Sequence, residues 1–223
     1  MIPTSSESMH SRLPVERRPV ARLAKRSIDL FLSSLLLLLL LPLLFLLAAC
    51  VAIDMRRSPL FWQQRVGKRG RLFRIVKFRS MRGDPSADSA PRWDSTERAR
   101  VTRLGSFIRD YGLDELPQLW NIILGDMSII GPRPPMESEL QWYPEDARVA
   151  FEMRPGVLSL AVIHGRRGIP LEERFKLHAR YVLDWSPTLD LKIFFSVVGV
   201  ILRRHNAVES EQRRSKDASA PLS

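Results

Sequence analysis

The chain has 223 residues, of which 35 are Lys or Arg and 24 are Asp or Glu, a formal charge of +11. That length fits one domain, or a small domain with extensions, and the charge turns attention from small neutral substrates to phosphates: nucleic acid, nucleotides or an anionic lipid surface. A single cysteine, Cys50, excludes an internal disulfide and a cysteine-based zinc site, and the four histidines (His10, His164, His178 and His205) show no metal-ligand spacing.

Taken in chain order, residues 1–24 are polar and predict a mobile tail. The run from Leu30 to Ile53 is 24 residues without a charge, and about 20 suffice to cross a bilayer. It is too long, and starts too far inside the chain, for a signal peptide. Its flanks are both positive, with Arg22, Lys25 and Arg26 before it and Arg56, Arg57 and Arg65 after it. Positive flanks stay cytoplasmic. Pro42 stands at the middle, where it removes the hydrogen bond to the Leu38 carbonyl and kinks or breaks a helix. Each half spans about 17 Å at 1.5 Å per residue, roughly half of a ~30 Å hydrocarbon core. A re-entrant helix hairpin over 25–57, broken at Pro42, fits both facts; one straight or kinked transmembrane helix is the alternative.

The segment from Phe61 to Met81 predicts a β-hairpin, with Gly67 and Gly70 bracketing its turn. Residues 84–99 are a loop by their Pro, Ser and Asp content. A helix is expected from near Thr102, and a second from "GLDELPQLW" (112–120) to a stop at Gly125. "GPRPP" (131–135) must be irregular. Residues 170–185 predict an amphipathic helix. Ser186 and Pro187 then suit the N-cap and first position of a further, very apolar helix, which lies at a membrane interface or in the core. The tail 206–223 is polar and expected to be disordered.

The adjacent acids Asp114 and Glu115 carry the chemistry. One explanation is structural, because Asp is a favoured N-cap and acids are stabilised in a first helical turn. The other is functional. A helix N-terminus attracts phosphate and keeps a carboxylate ionised, as a nucleophile requires, and two such acids can approach one Mg²⁺ or one phosphoryl group from different sides. The company of basic residues favours the second. Lys77 and Arg79 sit in "KFRSM", Arg109 precedes the acids, Arg133 is held in "GPRP", and Arg154 lies in "RPG". Arginine offers a planar fork to phosphate oxygens.

These segments resemble the bacterial sugar transferase family, the monotopic polyprenyl-phosphate phosphoglycosyl transferases of minimal catalytic-domain type. The resemblance runs over about residues 25–204, through "KRSIDL", the apolar run with Pro42, "SPLFWQQRVGKRGRLFRIVKFRSM", "LDELPQLWN", "GDMS", "GPRP" and "RPGV". It implies transfer of a phosphosugar from a UDP-sugar to polyprenyl (undecaprenyl) phosphate, with Asp114 as nucleophile, a covalent aspartyl-phosphosugar intermediate and release of UMP, at the start of surface glycan assembly. Mg²⁺ would be held near the dyad with Asp114 as ligand. Lys77, Arg109 and Arg133 match the family's basic positions; Arg79 and Arg154 join them as candidate phosphate-binding residues. The implied fold is α+β and mostly helical, with a re-entrant membrane helix, a small β-hairpin and amphipathic interfacial helices. The catalytic domain, 58–205, would lie on the cytoplasmic face of the bacterial inner membrane. Expected partners are the UDP-sugar, polyprenyl phosphate and the bilayer, with no nucleic acid; a homo-oligomer stays open.

Leu41 stands where many members have Ser, Ser159 and Val162 replace a usual Gly and Gln, and His178 replaces a usual Asp. These departures leave the dyad untouched and bear on sugar specificity or local packing. The competing reading is a non-catalytic, basic, membrane-anchored protein for anionic lipid or nucleic acid. It predicts salt-sensitive binding and no UMP release.

Overall fold

The computed structural model describes residues 19–83, 100–164 and 169–199. Residues 1–18, 84–99, 165–168 and 200–223 lie outside the described residues, and with them the expected loop 84–99 and the expected tail 206–223.

The apolar run forms α1, Pro19–Met55, a helix of 37 residues that is long and apolar enough to cross a membrane. It begins earlier than expected, so residues 19–24 are helical and not part of a tail. Pro19 suits a first helical position, where its missing N–H has no partner to lose. Pro42 lies inside α1 without dividing it into two elements, because a proline that forfeits one backbone bond kinks a helix without having to end it. Arg56, at φ 52°, terminates it.

One stripe of α1 packs on the rest of the chain along its whole length. Asp29, Ser33, Leu47, Val51 and Met55 are buried, and Leu37, Leu40 and Leu44 are half-buried between them. Steps of three and four residues put all of these on one helical face. The opposite face exposes Leu23, Phe31, Leu38, Leu39, Phe45, Leu46 and Ile53.

The hairpin is as expected. β1 (Leu60–Val66) pairs antiparallel with β2 (Leu72–Phe78), Leu60 opposite Phe78 and Val66 opposite Leu72. The turn holds a 3-10 segment at Lys68–Gly70. Helix α2 (Arg103–Asp110) starts where expected, with the Thr102 hydroxyl accepting from the Gly105 amide. A 3-10 helix, Leu113–Gln118, leads into α3 (Leu119–Leu124), which Gly125 ends in the left-handed region.

Two elements had no sequence signal. Strands β3 (Ser128–Ile130) and β4 (Gly156–Leu158) form a short parallel pair. Gly131 and Gly156 make this crossing feasible, since a Cβ on either would collide with the other's backbone. Between these strands run 3-10 helices at Glu137–Trp142 and Glu145–Glu152. After β4 come the short α4 (Leu160–Ile163), α5 (Leu171–Leu183) and α6, which occupies 187–199. Ser186 caps α6 as expected, its Oγ accepting from the Leu189 amide at 3.2 Å.

Asp190 ties these layers together. Its carboxylate accepts from Lys25 Nζ of α1 (2.8 Å), Tyr181 Oη (2.6 Å) and Trp185 Nε1 (3.2 Å). Asp29 of α1 reaches β3, accepting from Ser128 Oγ at 2.7 Å and the Ile129 amide at 3.1 Å. Arg26 donates to the carbonyls of Ile122 and Ile123 at the end of α3. At the far end of α1, Asp54 accepts from Thr102 Oγ1 at 2.6 Å, while Met55 packs with Phe78 and Ile108. Both ends of α1 therefore hold the same folded unit. Helix α6 is two-sided: Ile193 and Val197 are buried, and Leu191 and Phe195 are exposed.

Candidate active site

The pocket forms where β2, the Leu113–Gln118 turn, the "GPRPP" segment, β4 and α5 converge. It brings together Lys77, Arg109, Asp114, Glu115 and Arg133. Arg65, Gln118, Ser159 and Arg174 join them, though the sequence reading proposed none of the four as a site residue. Arg65 comes from β1 and Arg174 from α5, too far apart in sequence for any spacing rule to connect.

The dyad is not a helix cap. Gly112 occupies the cap position at φ 70°, a left-handed conformation that favours glycine, with no side-chain capping bond. The turn that follows is 3-10, and it points Asp114 and Glu115 toward Lys77 on β2. Lys77 Nζ is 3.0 Å from Glu115 Oε1. Among the described residues Asp114 makes no ion pair within 4.0 Å; its carboxylate lines the pocket and accepts a backbone hydrogen bond from its own residue.

The Asp114 carboxyl is pushed up to about 6, first by burial and then by the Glu115 charge, while Lys77 and Arg109 pull it down. Desolvation and like charge outweigh the neighbouring cations. The acid still ionises at neutral pH, with roughly a tenfold excess of carboxylate at pH 7. Burial pushes Lys77 down, against the pull of Glu115.

Two hard oxygen donors side by side, one outside any ion pair and repelled by the other, fit a divalent cation such as Mg²⁺, which binds through one or two carboxylates plus substrate phosphates. No larger group of ligating side chains occurs among the described residues.

Arg79 and Arg154 lie apart from this pocket. Arg79 donates from Nε to the Ser58 carbonyl (3.1 Å) and stacks over Phe61. Arg154 donates from Nε to the Gly125 carbonyl (2.8 Å), closing the end of α3, and lines a small basic depression with Arg22, Lys25, Arg26 and Lys68. The unusual residues are also placed. Leu41 is exposed on α1, Val162 falls within α4, and Ser159 is buried against the pocket.

His178 is buried behind the pocket, its Nδ1 3.2 Å from Tyr143 Oη. Burial, then Arg133 and Arg174, hold its imidazole down at about 3. The unfolded chain therefore binds this proton below about 6.5 while the folded one refuses it down to about 3. Stability is expected to be level above that upper value and to fall as pH drops through the window, by up to about 1.4 kcal/mol per pH unit. Unfolding measured at pH 7 and pH 5 checks this: His178→Gln should flatten the difference, and an unchanged difference would refute it.

A helix long and apolar enough to cross a membrane, with a pocket lined by cations and two carboxylates elsewhere in the same fold, marks a membrane-associated protein. The chain belongs to the bacterial sugar transferase family, whose model matches residues 20–204. It is 39% identical over 203 residues to the UDP-galactose-lipid carrier transferase of Erwinia amylovora, covering 84% of this chain and 42% of that protein. It is 37% identical to the exopolysaccharide production protein ExoY of Rhizobium meliloti, covering 82% and 88%. With the undecaprenyl-phosphate glucose phosphotransferase of Komagataeibacter xylinus it shares 41%, over 82% of this chain and 37% of that one. The chain thus spans nearly the length of ExoY but less than half of the other two.

Proposed function

We propose that this protein transfers a phosphosugar from a UDP-sugar to polyprenyl phosphate, with Asp114 as the nucleophile. The observation that carries the reading is the division of labour in the dyad: Glu115 is taken by Lys77, and Asp114 is left facing a pocket lined by Arg109 and Arg133. The names of the relatives, which include undecaprenyl-phosphate phosphotransferases, support the substrate class.

In the first displacement an Asp114 carboxylate oxygen bonds to the β-phosphorus of the donor. The bond from that phosphorus to the bridging oxygen breaks, and UMP leaves with the electron pair. In the second, an oxygen of polyprenyl phosphate bonds to the same phosphorus and the Asp114 carboxylate is regenerated. Splitting one displacement into two is what a covalent nucleophile achieves. Lys77 holds Glu115 and adds positive charge beside the phosphoryl oxygens, as do Arg109 and Arg133. Mg²⁺, held by Asp114 with Glu115 beside it, would offset further charge on those oxygens.

The reading places α1 in the cytoplasmic leaflet of the bacterial inner membrane as a re-entrant helix. Its support is that Lys25, Arg26 and Asp29 at one end, and Asp54 and Met55 at the other, hold the same domain. A crossing helix would carry one of those ends to the far side. In a Cys50→Ser background, Val20→Cys and Arg57→Cys should both be labelled by an impermeant thiol reagent in inside-out vesicles and neither in intact cells. Labelling on opposite sides would overturn the re-entrant path. The reaction itself is tested with a panel of UDP-sugars, undecaprenyl phosphate and Mg²⁺. UMP release from at least one donor is expected, and none from any donor would sink the proposal.

A further inference from the structure

The pocket contains a second group of cations beyond the dyad. Arg65, Arg133 and Arg174 line it together; Glu139 lies 3.7 Å from Arg65 Nη1 and its charge also acts on Arg174. Arg65 is 8% exposed. Its Nη1 donates to the Pro134 carbonyl (3.2 Å) and its Nη2 to Gln63 Oε1 (2.6 Å). Its Nε is buried without a hydrogen-bond partner among the described residues. The same holds for Arg174 Nε and for Nε2 of Gln118, which is 2% exposed. Buried donors without acceptors are costly, and guanidiniums that lower one another's proton affinity across a shared pocket favour an anion between them.

The electrostatics agree. Burial and then Arg133 push Arg65 down to about 10, and the same two causes lower Arg174. This group adjoins the one beside Asp114. Asp114 feels Glu115, Lys77 and Arg109, Arg174 feels Arg133 and Glu139, and Arg65 feels Arg133, Glu139 and also Glu115. Lys77 lies between and feels both groups.

The chemistry calls for such a centre. In each of two in-line displacements at one phosphorus, Asp114 occupies one apical position. The opposite apical oxygen belongs to a phosphate monoester both times: that of departing UMP first, that of the attacking polyprenyl phosphate second. We propose that Arg65, Arg133 and Arg174, with Gln118, form one phosphate-monoester centre that holds UMP and then polyprenyl phosphate in turn, so that the two exclude each other. The assignment rests on the phosphoglycosyl reading above and adds Arg65, Arg174 and Gln118 to it.

Equilibrium binding of labelled UMP, and its displacement by a short-chain polyprenyl phosphate, test this on the full chain in detergent. Arg174→Gln, at a half-buried position, should weaken both ligands about tenfold or more, the range for losing a charge-assisted hydrogen bond. Arg65→Lys should do the same if it folds as judged by thermal unfolding. Arg180→Gln, exposed on the same helix and paired with Asp184, should change neither. Unchanged UMP affinity in Arg174→Gln would overturn the assignment, and weakening of UMP alone would overturn the shared centre. Both failures differ from failure of the reaction, in which the wild-type protein releases no UMP from any donor.

Discussion

Asp114→Asn is expected to cut UMP release by about four orders of magnitude, the scale of losing a covalent nucleophile. An amide of nearly the same shape cannot attack phosphorus at a useful rate. The fold should survive intact, and even gain. In the native protein the ionised carboxylate is desolvated and repelled by Glu115, which is why its pKa stands at about 6. A neutral Asn escapes both penalties. The discriminating result is a variant that unfolds at or above the native temperature yet is inactive. Turnover above about one per cent of native would remove Asp114 from the nucleophile's role. Loss of activity together with a large fall in unfolding temperature would mean that the dyad serves structure.

Asn121→Ala is expected to cost about 3 kcal/mol of stability, since it orphans the buried Val76 amide, frees the part-buried Arg74 carbonyl and leaves a cavity. The Asn121 side chain, 1% exposed, lies against β2 like one residue of a third strand. Its Oδ1 accepts from the Val76 amide at 3.0 Å and its Nδ2 donates to the Arg74 carbonyl at 2.8 Å. For a chain of this size that corresponds to a fall of about 6 to 12 °C in unfolding temperature. Asn121→Asp keeps the acceptor and loses the donor, so it should fall between native and Ala. Because Val76 neighbours Lys77, the change should also loosen the Lys77–Glu115 pair and reduce turnover in the protein that remains folded. A shift under about 2 °C for the alanine variant would refute the clamp.

Much of this was legible in the sequence. The apolar run, the hairpin with its glycine-bracketed turn, the Thr102 and Ser186 caps and the Gly125 stop are all encoded within a few residues. The structure reproduces each of them. Steric and capping rules act over one turn, so they can be read locally. Lys77, Arg109, Asp114, Glu115 and Arg133 were likewise visible as candidates, and they share one pocket.

What failed to transfer was context. Asp114 was legible as an ionised acid in a first turn, but not that the turn is 3-10 or that burial beside Glu115 raises its pKa to about 6. Arg79 and Arg154 had the right residue type in motif-like settings, yet their Nε atoms cap the carbonyls of Ser58 and Gly125. Nothing in their flanking residues shows that a guanidinium here will be placed outside the pocket that holds the dyad.

The sequence by itself therefore determined the membrane-seeking helix, the local elements and the dyad, because hydrophobic length, turn chemistry and capping are short-range properties. Only the tertiary structure decided which cations face Asp114, how far its proton affinity rises, and that Arg65 and Arg174 join Arg133 in one pocket. Those outcomes depend on desolvation and on distances between groups up to 109 residues apart, which exist only once β1, the "GPRPP" segment and α5 have packed together.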